Sequence, residues 1–283
     1  MQRLDSHTAL FGVIGDPVRH SKSPIMLNRA FGETGVNGAY AAFHVKPEQL
    51  AQAIAGVRGL GFKGLNVTIP HKIEVMAHLD EISEGAKAAG AVNTIVNDGG
   101  RLIGYNTDGI GYVRSLKEEA EPDLAGKTIV VLGAGGASRG ILWALAQEGP
   151  KAILLANRTE AKAFEVASAF SPDYRISAIP WEELQAACAS ADVVINTTSV
   201  GMSPNVDAVP LDPSWLKPGS VASDLIYNPL KTAFLRQAEQ LGCRIHGGLG
   251  MFIYQGAYAF EYWTGQPAPV AAMREAVMAS FNQ

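Results

Sequence analysis

The sequence predicts an α/β protein of two domains, each organised around a mainly parallel sheet. Three observations carry that prediction. The 283 residues, at a prior of roughly 150 per domain, allow two separate cores. Short apolar runs of strand character alternate with helical stretches along most of the chain, as expected when strands are joined by helical crossovers. A glycine-rich turn directly follows an apolar strand only at Gly133, so one α/β region precedes it and a second, more regular one is built on it.

Leu10 to Ile14 reads as the first strand, stopped by Gly15-Asp16-Pro17. Ser23 is a favourable cap and Pro24 a favourable first residue for a helix that should end near Gly35. Ala39 to Val45 is a second strand. Pro47 to Arg58 has helical spacing, with Leu50, Ile54 and Val57 on one face. Leu65 to Ile69 is a third strand. Ala91 to Val96 and Leu102 to Tyr105 flank Asn97-Asp98-Gly99-Gly100 and read as a hairpin. In the second half, strands at Thr128 to Leu132, Ala152 to Ala156, Asp192 to Asn196 and Val221 to Leu225 alternate with helices, the pattern of a doubly wound parallel sheet. From Gly248 the pattern is helical, through Trp263 and again from Pro269 to the end. Hinges are expected near Gly109 to Gly111 and Gly247 to Gly250, where chain direction can change without a Cβ penalty.

Composition narrows the function classes. A net charge of -4 without Lys/Arg runs argues against general nucleic-acid binding. The two cysteines, Cys188 and Cys243, have no metal-ligand spacing; a disulfide between them is unsupported, and a reducing compartment is the better reading. No metal is expected. The start Met1-Gln2-Arg3-Leu4-Asp5 is not followed by a signal-like apolar core, and no span of about 20 apolar residues occurs. A cytoplasmic protein with no membrane partner is the expectation.

The chemistry concentrates in two polar segments that end strand-like runs. Asn66-Val67-Thr68-Ile69-Pro70-His71-Lys72 and Asn106-Thr107-Asp108-Gly109 each present polar side chains in a turn. Lys72 can donate a proton, and Asp108 can orient it and hold its charge; an ordinary surface ion pair is the alternative. Ser21 and Ser23 precede a Pro-started helix, where two hydroxyls and N-terminal N–H groups can hold a carboxylate, although one serine could simply cap.

Ile129-Val130-Val131-Leu132 runs into Gly133-Ala134-Gly135-Gly136-Ala137-Ser138-Arg139-Gly140 and then an apolar helix. This is the context in which glycines let backbone N–H groups approach a dinucleotide pyrophosphate, with Ser138 in the place of the third glycine. About 20 residues on, where an NAD-binding chain usually carries Asp or Glu, stand Asn157-Arg158-Thr159. A carboxylate there would repel a 2′-phosphate. The Arg158 fork suits phosphate, and Lys162 adds a second charge one turn later, so NADP is the expected cofactor. A solvated helix start with an incidental Arg is the plainer alternative.

Taken in order, these segments resemble the shikimate dehydrogenase family. The resemblance rests on His20-Ser21-Lys22-Ser23-Pro24, Asn66 to Lys72, Gly90-Ala91-Val92-Asn93-Thr94, Asn106 to Gly109, the glycine loop, Asn157-Arg158-Thr159, Asp224-Leu225-Ile226-Tyr227, and Gly248-Leu249-Gly250-Met251 through Gln255. It implies an NADP-dependent oxidoreductase acting on a CH–OH group, interconverting 3-dehydroshikimate and shikimate in aromatic amino acid and chorismate biosynthesis. The implied architecture is a substrate-binding α/β domain of residues 1–108 and 249–283 with a mainly parallel sheet, and a Rossmann-type NADP-binding domain of residues 109–248, with a cleft between them. Shikimate is a carboxylated cyclohexene triol, so Ser21 and Ser23 fit its carboxylate, while Asn66, Thr68, Asn93 and Asp108 fit its hydroxyls. Tyr227 and Gln255 resemble further substrate ligands of the family, and Leu225 and Gly248 resemble cofactor-side positions. The catalytic pair implied is Lys72 with Asp108, the ammonium serving as general acid to the developing alkoxide. Oxidation needs deprotonated Lys72 and is expected to improve at alkaline pH.

His246 beside Gly247 departs from the acidic residue common there in the family. His20 and His71 read as structural, Glu84 as an exposed helix charge or a cofactor neighbour, and Trp143, Trp181, Trp215 and Trp263 as packing. A quinate-using enzyme and a noncatalytic NADP-binding sensor remain as rivals, and the family includes both monomers and homodimers.

Overall fold

The computed structural model describes residues 4–281; Met1, Gln2 and Arg3, part of the start read for a leader, lie outside them. The chain forms two compact units, one running to Thr107 and resuming at Ile253, the other spanning Asp108–Phe252. The sequence reading places these borders after residue 108 and before residue 249.

Unit 1 carries a six-stranded sheet in the order β2-β1-β3-β5-β6-β4. Its strands are β1 (Ala9–Gly15), β2 (Gly38–His44), β3 (Gly64–Val67), β4 (Glu81–Ile82), β5 (Thr94–Asp98) and β6 (Arg101–Tyr105). β2, β1 and β3 pair in parallel, as do β4 and β6; only β5 runs against its neighbours. Helix α1 (Ser23–Thr34) ends at Gly35 in the left-handed conformation, as the sequence predicts. α2 (Leu50–Gly59) follows a single 3-10 turn at Pro47–Gln49 and buries Leu50, Ile54 and Val57. α3 (Glu84–Ala89) is short.

The two faces of this sheet are filled differently. One face joins Ile14, Leu65, Val67, Ile95 and Leu102 to Leu50, Ile54, Val57 and Val75. On the other, Phe11 stacks on Phe31 at 4.9 Å and meets Trp263 at 5.1 Å, and Tyr40 meets Trp263 at 6.1 Å. Trp263 Nε1 donates to the Ile95 carbonyl at 2.9 Å, which satisfies its one polar atom and confirms a packing role.

Unit 2 is a wholly parallel six-stranded sheet in the order β12-β11-β10-β7-β8-β9. Its strands are β7 (Thr128–Leu132), β8 (Ala152–Ala156), β9 (Ile176–Ala178), β10 (Val193–Asn196), β11 (Val221–Asp224) and β12 (Arg244–His246). The helices are α4 (Asp108–Glu119), α5 (Gly136–Ala146), α6 (Glu160–Ser168), α7 (Leu184–Ser190) and α8 (Ala233–Gln240). Alternate residues of β7 face opposite cores: Ile129 and Val131 join Tyr112, Ile141 and Val166, while Val130 and Leu132 join Leu184, Phe234 and Leu235. Burial on both faces explains why these strands read as continuous apolar runs. Each fully buried Val, Leu, Ile or Phe contributes roughly 1.5–3 kcal/mol. Strand order reverses between β7 and β10, the topological switch point of a doubly wound sheet.

The chain ends with α9 (Leu249–Thr264), inside which the unit division falls, and α10 (Val270–Ala279). No helix among the described residues is long and apolar enough to cross a membrane.

Several local expectations need correction. Although the unit borders fall beside both stretches, the hinge glycines do not use the left-handed backbone conformation: Gly109 and Gly111 lie within α4, and neither they nor Gly247, Gly248 and Gly250 have positive φ. They serve close packing instead, since a Cβ at Gly109 would lie 2.1 Å from the Gly140 carbonyl oxygen of α5, and one at Gly248 2.0 Å from that of Leu225. Ser23 is the first residue of α1 rather than its cap; Lys22 holds the cap position, and no side chain caps the helix. The third strand stops at Val67, and Asn93 precedes its hairpin strand rather than lying in it. Both cysteines are free and buried, and burial raises the Cys188 thiol to about 12.

Candidate active site

The C-terminal ends of β1 and β3 carry the first polar segments. After β1 the chain turns through Val18 to Ser21, whose Oγ accepts from the Ser23 N–H at 3.3 Å. Ser23 is buried at the start of α1. Lys22, between them, points elsewhere: its Nζ donates to the Ser280 carbonyl at 3.0 Å and lies over the Phe281 ring. Two serines, without the lysine, therefore face the helix start.

Asn66 lies in β3 opposite Val13 of β1 and Thr94 of β5. Its Oδ1 accepts from the Tyr40 hydroxyl at 2.7 Å. Its Nδ2 donates to the Asn93 carbonyl at 3.2 Å and to Thr94 Oγ1 at 3.1 Å. Asn93 Oδ1 accepts from the Thr107 N–H at 2.7 Å, and Asn93 Nδ2 donates to Thr107 Oγ1 at 3.0 Å. The result is a buried row, Tyr40, Asn66, Thr94, Asn93 and Thr107, crossing the sheet near the C-terminal ends of β1 and β3. Every member is at most 6 % exposed, so each hydrogen bond is held in low dielectric and the side chains are fixed.

Lys72 follows in the turns after β3 and is half-buried. Its carbonyl accepts from the Val92 N–H at 2.8 Å, which anchors it beside Asn93. Thr68, also half-buried, is tied by its N–H to the Ile14 carbonyl. His71 is fully buried with Nε2 2.6 Å from the Val45 carbonyl oxygen, so it braces this turn, whereas His20 is exposed. Asn106 Nδ2 donates to the Ala91 carbonyl at 3.0 Å, holding the second polar segment to the Gly90 to Thr94 stretch. Unit 1 thus brings together Ser21 and Ser23, and Asn66, Thr68, Lys72 and Asn93. Gln255, half-buried on α9, belongs to the same unit.

Asp108 and Tyr227 belong to unit 2. Asp108 is 9 % exposed and opens α4, where the helix N-terminus favours a carboxylate. Tyr227 stacks on Phe252 with ring centroids 5.2 Å apart, and burial raises its hydroxyl above the ordinary phenol range.

The glycine loop leaves β7 at the switch point. Gly133 has φ of 106°, a left-handed conformation natural to glycine, and a Cβ there would lie 2.8 Å from Thr197 Oγ1. Thr197 Oγ1 donates to the Leu132 and Gly133 carbonyls at 2.7 and 3.1 Å, holding the loop against the end of β10. At Gly135 and Gly136 a Cβ would meet nothing within 4 Å, and both residues are exposed with Ala137 at the uncapped start of α5. These residues fit a dinucleotide pyrophosphate: open backbone at a helix N-terminus is what such a group requires.

Asn157 ties this loop to the next. Its Oδ1 accepts from the Ala134 N–H at 3.2 Å, and its Nδ2 donates to the Thr159 carbonyl at 2.8 Å. Its carboxamide shapes the loop, leaving exposed Arg158, Thr159 and Lys162 as the groups facing water. On the far side of the switch point, Leu225 and Gly248 meet backbone to backbone, and the Gly248 N–H donates to the Ile226 carbonyl at 3.2 Å. His246 is buried, with Nδ1 2.8 Å from Ser223 Oγ and Nε2 2.7 Å from Ser115 Oγ, so its departure from the acidic pattern is absorbed by two serines.

Sequence reasoning assigned no role to four contributors. Tyr40 sits in an apolar alternating strand and carries no local mark of a site. Thr197 and Thr198 end the apolar run Val193 to Ile195 in a polar triplet with Asn196, the same signature that drew attention to Asn66 to Lys72. Asp224 is a hub: it accepts from Asn196 Nδ2, the Ile226 N–H and Thr232 Oγ1 at 3.1, 3.1 and 2.8 Å. Desolvation raises its carboxyl to about 6, against the pull of those three donors. No group of three or more His, Cys, Asp or Glu that could hold a metal occurs among the described residues.

Comparison with known proteins agrees with this geometry. The model of the shikimate dehydrogenase substrate binding domain matches residues 13–95, that of shikimate / quinate 5-dehydrogenase matches residues 115–204, and that of the shikimate 5'-dehydrogenase C-terminal domain matches residues 248–278. A protein of Geobacillus kaustophilus named shikimate dehydrogenase (NADP(+)) is 49 % identical over 275 residues, covering 97 % of this chain and 99 % of the relative. A crystal structure of a shikimate dehydrogenase in complex with NADP+ superposes with a TM-score of 0.91 at 41 % identity, covering 100 % of this chain and 99 % of the other. A Listeria monocytogenes shikimate 5-dehydrogenase, in complex with shikimate and NAD, superposes with a TM-score of 0.93 at 38 % identity, covering 98 % and 99 %. The chain belongs to the shikimate dehydrogenase family.

Proposed function

We propose that this chain is an NADP-dependent shikimate dehydrogenase that reversibly reduces 3-dehydroshikimate to shikimate in aromatic amino acid biosynthesis. The observation that carries this reading is the buried polar row of unit 1, whose Asn93 follows the Val92 anchored to the Lys72 carbonyl and which offers fixed partners to a ring bearing several hydroxyls. Family membership supports the choice of substrate and cofactor. The substrate-binding role falls to unit 1 and the NADP-binding role to unit 2.

Ser21 and Ser23, at the N-terminus of α1, hold the carboxylate. Asn66, Thr68, Asn93 and Gln255 hold ring hydroxyls, with Tyr227 and Asp108 completing the set. Gly133 to Ala137 hold the pyrophosphate, Asn157 shapes that loop, and Leu225 and Gly248 serve the nicotinamide end. Arg158, Thr159 and Lys162 hold the 2′-phosphate. Bound NADP supplies or accepts the hydride. Lys72 gives its proton to the oxygen of the reduced carbonyl and takes it back on oxidation, with Asp108 holding the ammonium charge. The cytoplasm is the proposed compartment, in keeping with two buried, unpaired cysteines.

The test is NADPH oxidation with 3-dehydroshikimate, repeated with the quinate-series ketone and with NADH. The reading expects 3-dehydroshikimate with NADPH to give the highest kcat/KM. A higher value for the quinate-series ketone would make the chain a quinate enzyme, and tight ligand binding without turnover would make it a sensor.

A further inference from the structure

Tyr40 and Asn66 lie on strands separated by β1, yet their side chains meet at 2.7 Å. Register explains how. Tyr40 pairs with Phe11 and Asn66 with Val13, so both project from the face that carries Phe11 and Val13. Two strand spacings are roughly 9.6 Å, and only a side chain as long as a phenol spans that gap and still donates a hydrogen bond. The Tyr40 ring is held in place by Trp263, and the residue is 4 % exposed.

The hydrogen-bond polarity follows from counting protons. Both Nδ2 hydrogens of Asn66 are used, on the Asn93 carbonyl and Thr94 Oγ1. Its Oδ1 therefore faces Tyr40, whose single hydroxyl proton must go there. The phenol oxygen keeps its lone pairs as an acceptor. A flipped carboxamide would set Oδ1 against the Asn93 carbonyl oxygen, so the arrangement has one orientation. Burial pushes the Tyr40 hydroxyl well above the ordinary phenol range, so the donor stays protonated.

We propose that Tyr40 is a positioning residue that, together with the Asn93 carbonyl and Thr94 Oγ1 occupying Nδ2, holds Asn66 toward the ligand as a hydrogen-bond acceptor only, so that this position of the site selects a hydroxyl able to donate. The proposal rests on the shikimate reading and adds the polarity of one contact, together with a residue that holds it in place. Tyr40 acts through Asn66, whose Oδ1 its hydroxyl holds.

The experiment compares the wild-type enzyme, Tyr40→Phe, Asn66→Ala and the double variant, assayed with NADP+ on shikimate and on its 4-deoxy and 5-deoxy analogues. Removing the phenol leaves a buried acceptor unpaired, and we expect KM for shikimate to rise about tenfold or more. The expected change in kcat is smaller, and KM for NADP+ stays within about twofold. Wild type should discriminate against one deoxy analogue; Tyr40→Phe should lose part of that discrimination, and adding it to Asn66→Ala should change nothing more. Unaltered discrimination in Tyr40→Phe, or an equal loss on all three substrates with a parallel loss for NADP+, overturns the proposal. So does further loss in the double variant, which keeps the test open should the single variant fold poorly. A wild-type enzyme inactive on shikimate would instead overturn the functional reading, and this proposal with it.

Discussion

The two sheets of this chain carry their proposed functional groups at the same place, the C-terminal ends of their parallel strands, but in opposite physical states. In unit 1 the end of the sheet is lined by buried side chains, Asn66, Asn93, Thr94 and Thr107, with Tyr40 reaching Asn66 from further back in β2, and each is fixed by at least one other. In unit 2 it is an open backbone loop, Gly135 to Ala137, with exposed cationic side chains at Arg158 and Lys162. The difference follows from what each end is proposed to hold. A small polyol acid offers neutral hydroxyls, and discriminating among them needs donors and acceptors fixed in low dielectric. A dinucleotide offers phosphates, and those are held well by backbone N–H groups and solvated charge.

This contrast gives an order of expected effects. Lys72→Ala should be the largest, lowering kcat by about 10²–10⁴-fold with a modest change in KM, because only a proton-transfer role is lost. Rapid kinetics in both directions check it; a large loss of shikimate affinity with normal kcat would move Lys72 from catalysis to binding. Arg158→Ala comes next. Losing one charged hydrogen-bonding partner is worth roughly 1.5–3 kcal/mol, so KM for NADP+ should rise by about 10- to 100-fold. Activity with NAD should be nearly unchanged, and an equal loss with both cofactors would assign Arg158 to the fold.

The smallest effect concerns Asp224, which tests whether the hub under unit 2 is held against its own desolvation. Its carboxyl is raised from 3.8 to about 6, so the native state binds this proton more tightly than the unfolded chain. The associated stability is fully present below pH 3.8 and is lost as pH rises through about 6. Between pH 5 and pH 8 the wild-type chain should lose on the order of 1 kcal/mol that Asp224→Asn does not lose. Denaturant melts of both proteins at the two pH values measure this directly, and parallel pH profiles would refute it.

How much of this could be read from residues alone depended on whether the signal was local. Strands buried on both faces, such as β7, announce themselves as apolar runs, and the glycine loop after β7 is contiguous. Asn66 to Lys72 and Asn106 to Gly109 were legible because polar residues interrupt apolar strands. β4, β9 and β12 were not, since strands of two or three residues at or near sheet edges establish no period. Tyr40 was hidden for a different reason. Its partner lies 26 residues away, on a strand that is not its neighbour, and only register and burial bring the two together. The packing role of Gly109 and Gly248 was hidden because a glycine needed for close packing looks the same in sequence as one needed for a turn.

The most direct test of the division between the two sheets is a crossed set of Michaelis constants. KM for shikimate and for NADP+ would be measured in the wild-type enzyme, in Asn66→Ala and in Arg158→Ala. The expectation is that Asn66→Ala raises only the shikimate constant and Arg158→Ala only the NADP+ constant, each by about tenfold or more. A crossed result, with Asn66→Ala weakening NADP+ or Arg158→Ala weakening shikimate to the same extent, would contradict it.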